Sequence, residues 1–122
     1  MPKLLGPAAP ESWSTRTSDA DVAVLTIPGA LDRTRTFDVD VQLRVSVPAQ
    51  ARKPELGLSL EVDGALRWSR SIASRMAGDV DTLEYHCRLM LEPGRDTRLR
   101  ARATTRQCAL QRLSVSAVED QA

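Results

Sequence analysis

Aromatic residues make up only 3% of this 122-residue chain: Trp13, Phe37, Trp68 and Tyr85. Histidine occurs once, as His86, and cysteine twice, as Cys87 and Cys108. A structural zinc site takes about four Cys or His ligands, so three candidates argue against zinc, and no other cofactor is expected. Two cysteines do not make a disulfide framework, and a domain of this length does not need one. No apolar run approaches the roughly 20 residues that cross a bilayer. The first residues, Met1-Pro2-Lys3-Leu4-Leu5-Gly6-Pro7, lack the apolar centre of a signal peptide. A native N-terminus of this kind implies a cytoplasmic protein, and a removed leader would leave the compartment open. Charge of one sign is also missing. The formal net charge is +1, which points to neither nucleic acid nor a membrane surface as partner. Lysine is nearly absent among the 17 basic residues, only Lys3 and Lys53. The rest are arginine, as GC-rich bacterial genomes favour.

What is present is one domain's worth of alternation. A chain of this length buries roughly two thirds of its unfolded surface on folding. From Phe37 to Val47 every second residue is apolar: Phe37, Val39, Val41, Leu43, Val45, Val47. Helical spacing would scatter these around an axis, whereas a strand puts them on one face. Leu56, Leu58, Leu60 and Val62 repeat the pattern before Asp63-Gly64, a pair that accepts the positive φ of a tight hairpin turn. The return strand, Ala65 to Ile72, is expected to place Leu66, Trp68 and Ile72 together on the buried face. Residues 71–78 have room for one helical turn. Leu83 to Leu91 and Arg98 to Ala103 alternate again, and the last strand lies within residues 108–118. Leu110 is out of phase with Leu113, which predicts a β-bulge or a late strand start. Ala20 to Ile27 is a short β-branched strand closed by Pro28-Gly29.

These signals give an all-β fold of seven or eight strands, an antiparallel two-sheet sandwich, with a closed barrel also compatible. The expected organisation is an irregular Pro-rich arm at 1–19 pinned by Trp13, with a short strand near that residue at most. The sandwich follows at 20–119, and a tail at 120–122. The run from Leu56 through Trp68, Tyr85, Pro93-Gly94 and Leu99 to Glu119 resembles the C-terminal half of galactose-binding-like and carbohydrate-binding-module jelly rolls. The resemblance is one of pattern and covers about two thirds of the chain. It implies a jelly-roll sandwich with a non-catalytic function, binding a glycan on a sheet face or at the loop tips.

Catalysis has no motif behind it. The sixteen acidic residues offer carboxylate pairs by chance alone, and Cys87, next to His86 on a strand, points to the opposite face. The expected site is instead a polar sheet face built from Glu84, His86, Arg88, Arg98, Arg100 and Arg102, with Trp68 as a candidate stacking residue. The three arginines step about 7 Å along one strand face and suit carboxylate, sulfate or phosphate. If their strand lies beside the one carrying Asp38 and Asp40, the charges neutralise each other instead. The alternative function is assembly, in which the same face or an uncovered sheet edge docks another protein or a second copy.

Overall fold

The computed structural model describes residues 10–120. Eight strands account for most of that span, and no helix occurs within it. They are β1 (Ser12–Thr17), β2 (Val22–Ile27), β3 (Arg35–Ser46), β4 (Glu55–Val62), β5 (Ala65–Ala73), β6 (Val80–Leu91), β7 (Thr97–Arg106) and β8 (Ala109–Glu119). They form two four-stranded antiparallel sheets, here sheet 1 in the order β1-β8-β3-β6 and sheet 2 in the order β2-β7-β4-β5. β1 pairs with β8, β2 with β7, β3 with β6 and β4 with β5. The chain is therefore a long antiparallel ribbon rolled so that its pairs fall alternately into the two sheets, the eight-stranded jelly roll.

The core follows from the alternation. Phe37, Val39, Val41, Leu43 and Val45 of β3 are buried, and they face Leu56, Leu58 and Leu60 of β4 and Leu99, Ala101 and Ala103 of β7. Burying a side chain of this size contributes roughly 1.5–3 kcal/mol each, and the β-branched residues suit the pleated surface. Asp63 and Gly64 both take positive φ, 51° and 85°, and join Val62 directly to Ala65 in a two-residue hairpin.

Four expectations need correction or refinement. Within the expected arm, the short strand near Trp13 is present as residues 12–17: β1 closes the edge of sheet 1 along six residues of β8, and Trp13 packs on the core. Residues 1–9 of the arm expected at 1–19, and residues 121–122 of the tail expected at 120–122, lie outside the described residues. Residues 71–78 contain no helical turn, because β5 runs on to Ala73. Leu66 is not inward. The register of β4 against β5 shifts between Leu60 and Glu61, so Arg67 is an extra residue and Leu66 falls on the outer face, 66% exposed. The bulge expected near Leu110 is present: Arg44 pairs with Arg112 and Val45 with Leu110, leaving Gln111 as the inserted residue.

Candidate functional site

Period two leaves each sheet with an outer face, and the two faces point away from each other. On sheet 1 the outward residues fall in cross-strand rows. Ser12, Val118, Asp38 and Arg88 form one row, and Ser14, Ser116, Asp40 and His86 the next. Arg16, Ser114, Gln42 and Glu84 form the third. Serines in β1 and β8 keep that side of the face low, while longer side chains rise from β3 and β6. The result is an open trough of linked depressions. One of about 320 Å³ is lined by Asp40, Gln42, Glu84, Ser114 and Ser116. A second, about 390 Å³, shares Ser114 and Ser116 and adds Ser14 and Arg16. A third, about 300 Å³, runs from Arg16 to Gln111 and Arg112.

The polar groups of this face are tied to one another. His86 Nδ1 lies 2.5 Å from Asp40 Oδ1. Arg88 Nε lies 3.3 Å from Asp38 Oδ1, and the same guanidinium bonds Asp120. Arg112 Nη2 donates to Gln42 Oε1 at 3.0 Å, and Gln42 Nε2 donates in turn to Glu84 Oε1 at 2.6 Å. The imidazole of His86 is held above its ordinary value, first by the hydrogen bond to Asp40 and then by the charges of Asp40 and Asp38.

The single site expected from the sequence is divided. Glu84, His86 and Arg88 stand together on the outer face of sheet 1. Arg98, Arg100 and Arg102 stand on β7, on the outer face of sheet 2, because β7 pairs with β2 and β4 and never meets β3 or β6 in a sheet. Asp38 and Asp40 thus neutralise Arg88 and His86, not the β7 arginines. Among the described residues, Arg100 alone of the three has an acidic partner, Glu61 at 3.8 Å. Arg98 and Arg102 have none among the described residues. Trp68 belongs to neither face. It is half-buried at the open side of the sandwich, stacked on Tyr85 with ring centroids 4.4 Å apart and planes 10° from parallel. This stack joins β5 of one sheet to β6 of the other.

Two features escaped sequence reasoning. The serines of the trough floor left only a faint signal, the alternation Ser12-x-Ser14 and Ser114-x-Ser116. The second is an ion cluster at the end of the sandwich. Arg35 is 2% exposed and continues the inward row of Phe37. Its Nη1 donates to Glu11 Oε1 at 2.6 Å and its Nη2 to the Pro28 carbonyl at 2.6 Å. Arg33 spans Glu11 and Glu119, 2.9 Å from each. Burial pushes the Glu11 carboxyl up, but the hydrogen bonds from Arg35 and Trp13 and the charges of Arg35 and Arg33 outweigh it and hold it below its ordinary value. Extending the β3 alternation back two residues was the available clue to an inward arginine.

Cys87 is buried and Cys108 half-buried, and neither forms a disulfide. Burial pushes the Cys87 thiol up. No group of three or more His, Cys, Asp or Glu that could hold a metal ion occurs among the described residues.

No protein family and no curated protein matches the chain. Solved structures do. The Cry4Aa larvicidal toxin of Bacillus thuringiensis matches with a TM-score of 0.50 and 12% identity, over 86% of this chain and 19% of that one. Dimeric latent PorU of Porphyromonas gingivalis matches with a TM-score of 0.49 and 12% identity, over 93% and 13%. A family GH115 4-O-methyl-α-glucuronidase with specificity for decorated arabinogalactans gives 0.44 and 16%, over 84% and 14%. The chain spans less than a fifth of each of these proteins. The toxin match is one of fold alone, a two-sheet antiparallel sandwich.

Proposed function

We propose that this domain is a non-catalytic carbohydrate-binding module that takes sugar hydroxyls in the trough of sheet 1. The trough itself carries the reading. Donors and acceptors alternate along it on rigid strands, from Ser14, Ser114 and Ser116 to Gln42, Asp40 and Glu84. The bonds of Gln42 to Glu84 and of Asp40 to His86 hold those side chains in place before any ligand arrives, which lowers the ordering cost of binding. Vicinal hydroxyls suit such a surface because each both donates and accepts. His86 and Glu84 are exposed and already bonded to Asp40 and Gln42. That favours holding a ligand over turning one over, since a general acid or base works best in a site closed to water.

No aromatic ring lines the described trough, so recognition rests on hydrogen bonds alone. Four or five of them, at about 1 kcal/mol net each, correspond to a Kd on the order of 1 mM. The test is a glycan array of neutral and acidic sugars, followed by NMR titration of any hit. Binders should shift the amides of Ser114, Ser116, Gln42 and Glu84, and Ser114→Trp, which fills the trough without touching the core, should abolish the effect. An array without hits, or a hit whose shifts lie elsewhere, would overturn the reading.

A second reading, assembly through a protein contact, draws on the opposite face, where Arg98 and Arg102 lack acidic partners among the described residues.

A further inference from the structure

We infer that the outer face of sheet 2 docks a protein partner presenting carboxylates at alternate positions of an extended strand. This develops the assembly reading and is independent of sugar binding in the trough, which lies on the other side of the sandwich.

The outward row of β7 is Arg98, Arg100, Arg102, with Arg106 beyond, and two neighbours of the row, Glu55 and Glu61, are acidic. Four guanidinium groups against two carboxylates leave this face positive in a chain of net charge +1. The acids sit at its margins of reach: Glu61 is 3.8 Å from Arg100 and Glu55 3.8 Å from Arg106. Arg102 is flanked instead by Val22, Ser59 and, one strand further, Ser69. At the end of the row the Asp63 carboxylate accepts from the Arg98 backbone N–H at 2.8 Å and lies 3.7 Å from the Arg95 guanidinium, with no ion pair to the Arg98 side chain. Two planar forks of donors are thus left without a carboxylate among the described residues, on a central strand whose backbone is paired on both sides.

Geometry then selects the partner. Alternate residues on β7 are about 7 Å apart, which is also the repeat of alternate residues on any extended strand. A row of Asp or Glu at positions i, i+2 and i+4 meets the row of arginines in register, each pair able to form the two-pronged contact that lysine cannot. None of the depressions described above is lined by Arg98, Arg100 or Arg102, and small molecules prefer concave sites. Exposed apolar side chains flank the row. Val24, 37% exposed, lies beside Arg100 on β2, and Leu66, 66% exposed, lies across Glu61 on β5. Arginine among exposed apolar residues is the composition of a protein interface. An acidic polysaccharide would satisfy the arginines and leave Val24 and Leu66 in water.

The probe is a soluble dodecapeptide with Glu at alternate positions and Thr or Val between, titrated into the intact domain and followed by NMR. Shifts are expected on β2, β4 and β7, with affinity falling as salt rises. The double variant Arg98→Thr/Arg102→Thr, both sites exposed and outside the core, should keep the wild-type Tm and bind the peptide at least tenfold more weakly. Leu66→Ser should weaken it by a smaller factor, and Ser114→Trp should leave it unchanged. Peptide shifts confined to the trough, or a double variant that binds as tightly as wild type, would overturn the inference. So would polygalacturonate occupying the arginine row at least as tightly as the peptide. A failed glycan array touches none of these outcomes.

Discussion

Single residues on this domain are held by charge in two different settings. Glu11 sits at a half-buried junction between Arg35 and Arg33, and its carboxyl is held below the ordinary value. Glu11→Gln keeps a hydrogen-bond acceptor but leaves Arg35, 2% exposed, without a counter-ion. The expected loss is about 2 kcal/mol, the range for hydrogen bonds to a buried charge. The sign with pH follows from the lowered value. The carboxylate's contribution is present above pH 4.5 and is lost as pH falls through the folded value below it. Urea midpoints of wild type and variant should therefore differ at pH 7 and converge on acidification. His86 runs the other way. Its raised value makes the contact with Asp40 fully present below pH 6.5 and lost as pH rises through the folded value. An NMR titration of the single histidine should give a midpoint above 6.5, and Asp40→Asn should bring it down. A midpoint unmoved by that substitution would show that the bond to Asp40 does not set it.

Among the elements, β5 is the least secured. It pairs with β4 alone and most of its residues are exposed; the Trp68–Tyr85 stack ties it to sheet 1, with Ile72 packed on the core beside it. Trp68→Ala removes that tie. A stacked pair contributes roughly 0.5–1.5 kcal/mol beyond area, so with the lost half-burial the expected destabilisation is about 1–3 kcal/mol. In hydrogen exchange the amides of β5 should open before those of β3 and β4, and further ahead in the variant. Uniform exchange across β3, β4 and β5 would contradict this picture. The elements also show where the sequence was informative. The alternation of Phe37 to Val47 and the Asp63-Gly64 turn each encode a local geometry, and both appear as read. Leu66 was misplaced because a bulge at Arg67 shifts the period by one, which no local pattern announces. The divided site has a deeper cause. Period two tells which side of a strand is wet, but a sandwich has two wet faces, and which one a strand joins is decided by long-range pairing. Glu84, His86 and Arg88 could be grouped because they share β6. Joining them to the arginines of β7 required knowing that β6 and β7 lie in different sheets.

For the molecule as a whole, almost every pairing is distant in sequence. β1 meets β8 across roughly a hundred residues, with Ser12 opposite Val118, and β3 meets both β6 and β8. Among the described strands, only β4 and β5 form a tight hairpin. Loop-closure entropy must be overcome before such contacts return anything, so sandwiches of this kind fold in milliseconds to seconds. Stopped-flow refolding followed by the fluorescence of Trp13 and Trp68 should show its main phase in that range, and a microsecond phase carrying the full amplitude would contradict the argument. The two outer faces differ in chemistry, one carrying serines beside the bonded Gln42 and Glu84 side chains, the other a row of arginines with apolar flanks. On the readings proposed above, they would serve two different neighbours.

The pairing of β1 with β8 has one more consequence. Because Ser12 and Val118 are opposite partners, the first and last strands lie one strand spacing apart, about 5 Å. The eight described strands thus come close to closing a ring between β1 and β8. A permuted gene that joined these ends through a short flexible linker and opened at the exposed Asp63-Gly64 turn would keep all eight strands and every pairing except that hairpin's covalent link. Such a protein should still fold, and as an insert it would spread the loop of a host by no more than the width of one strand.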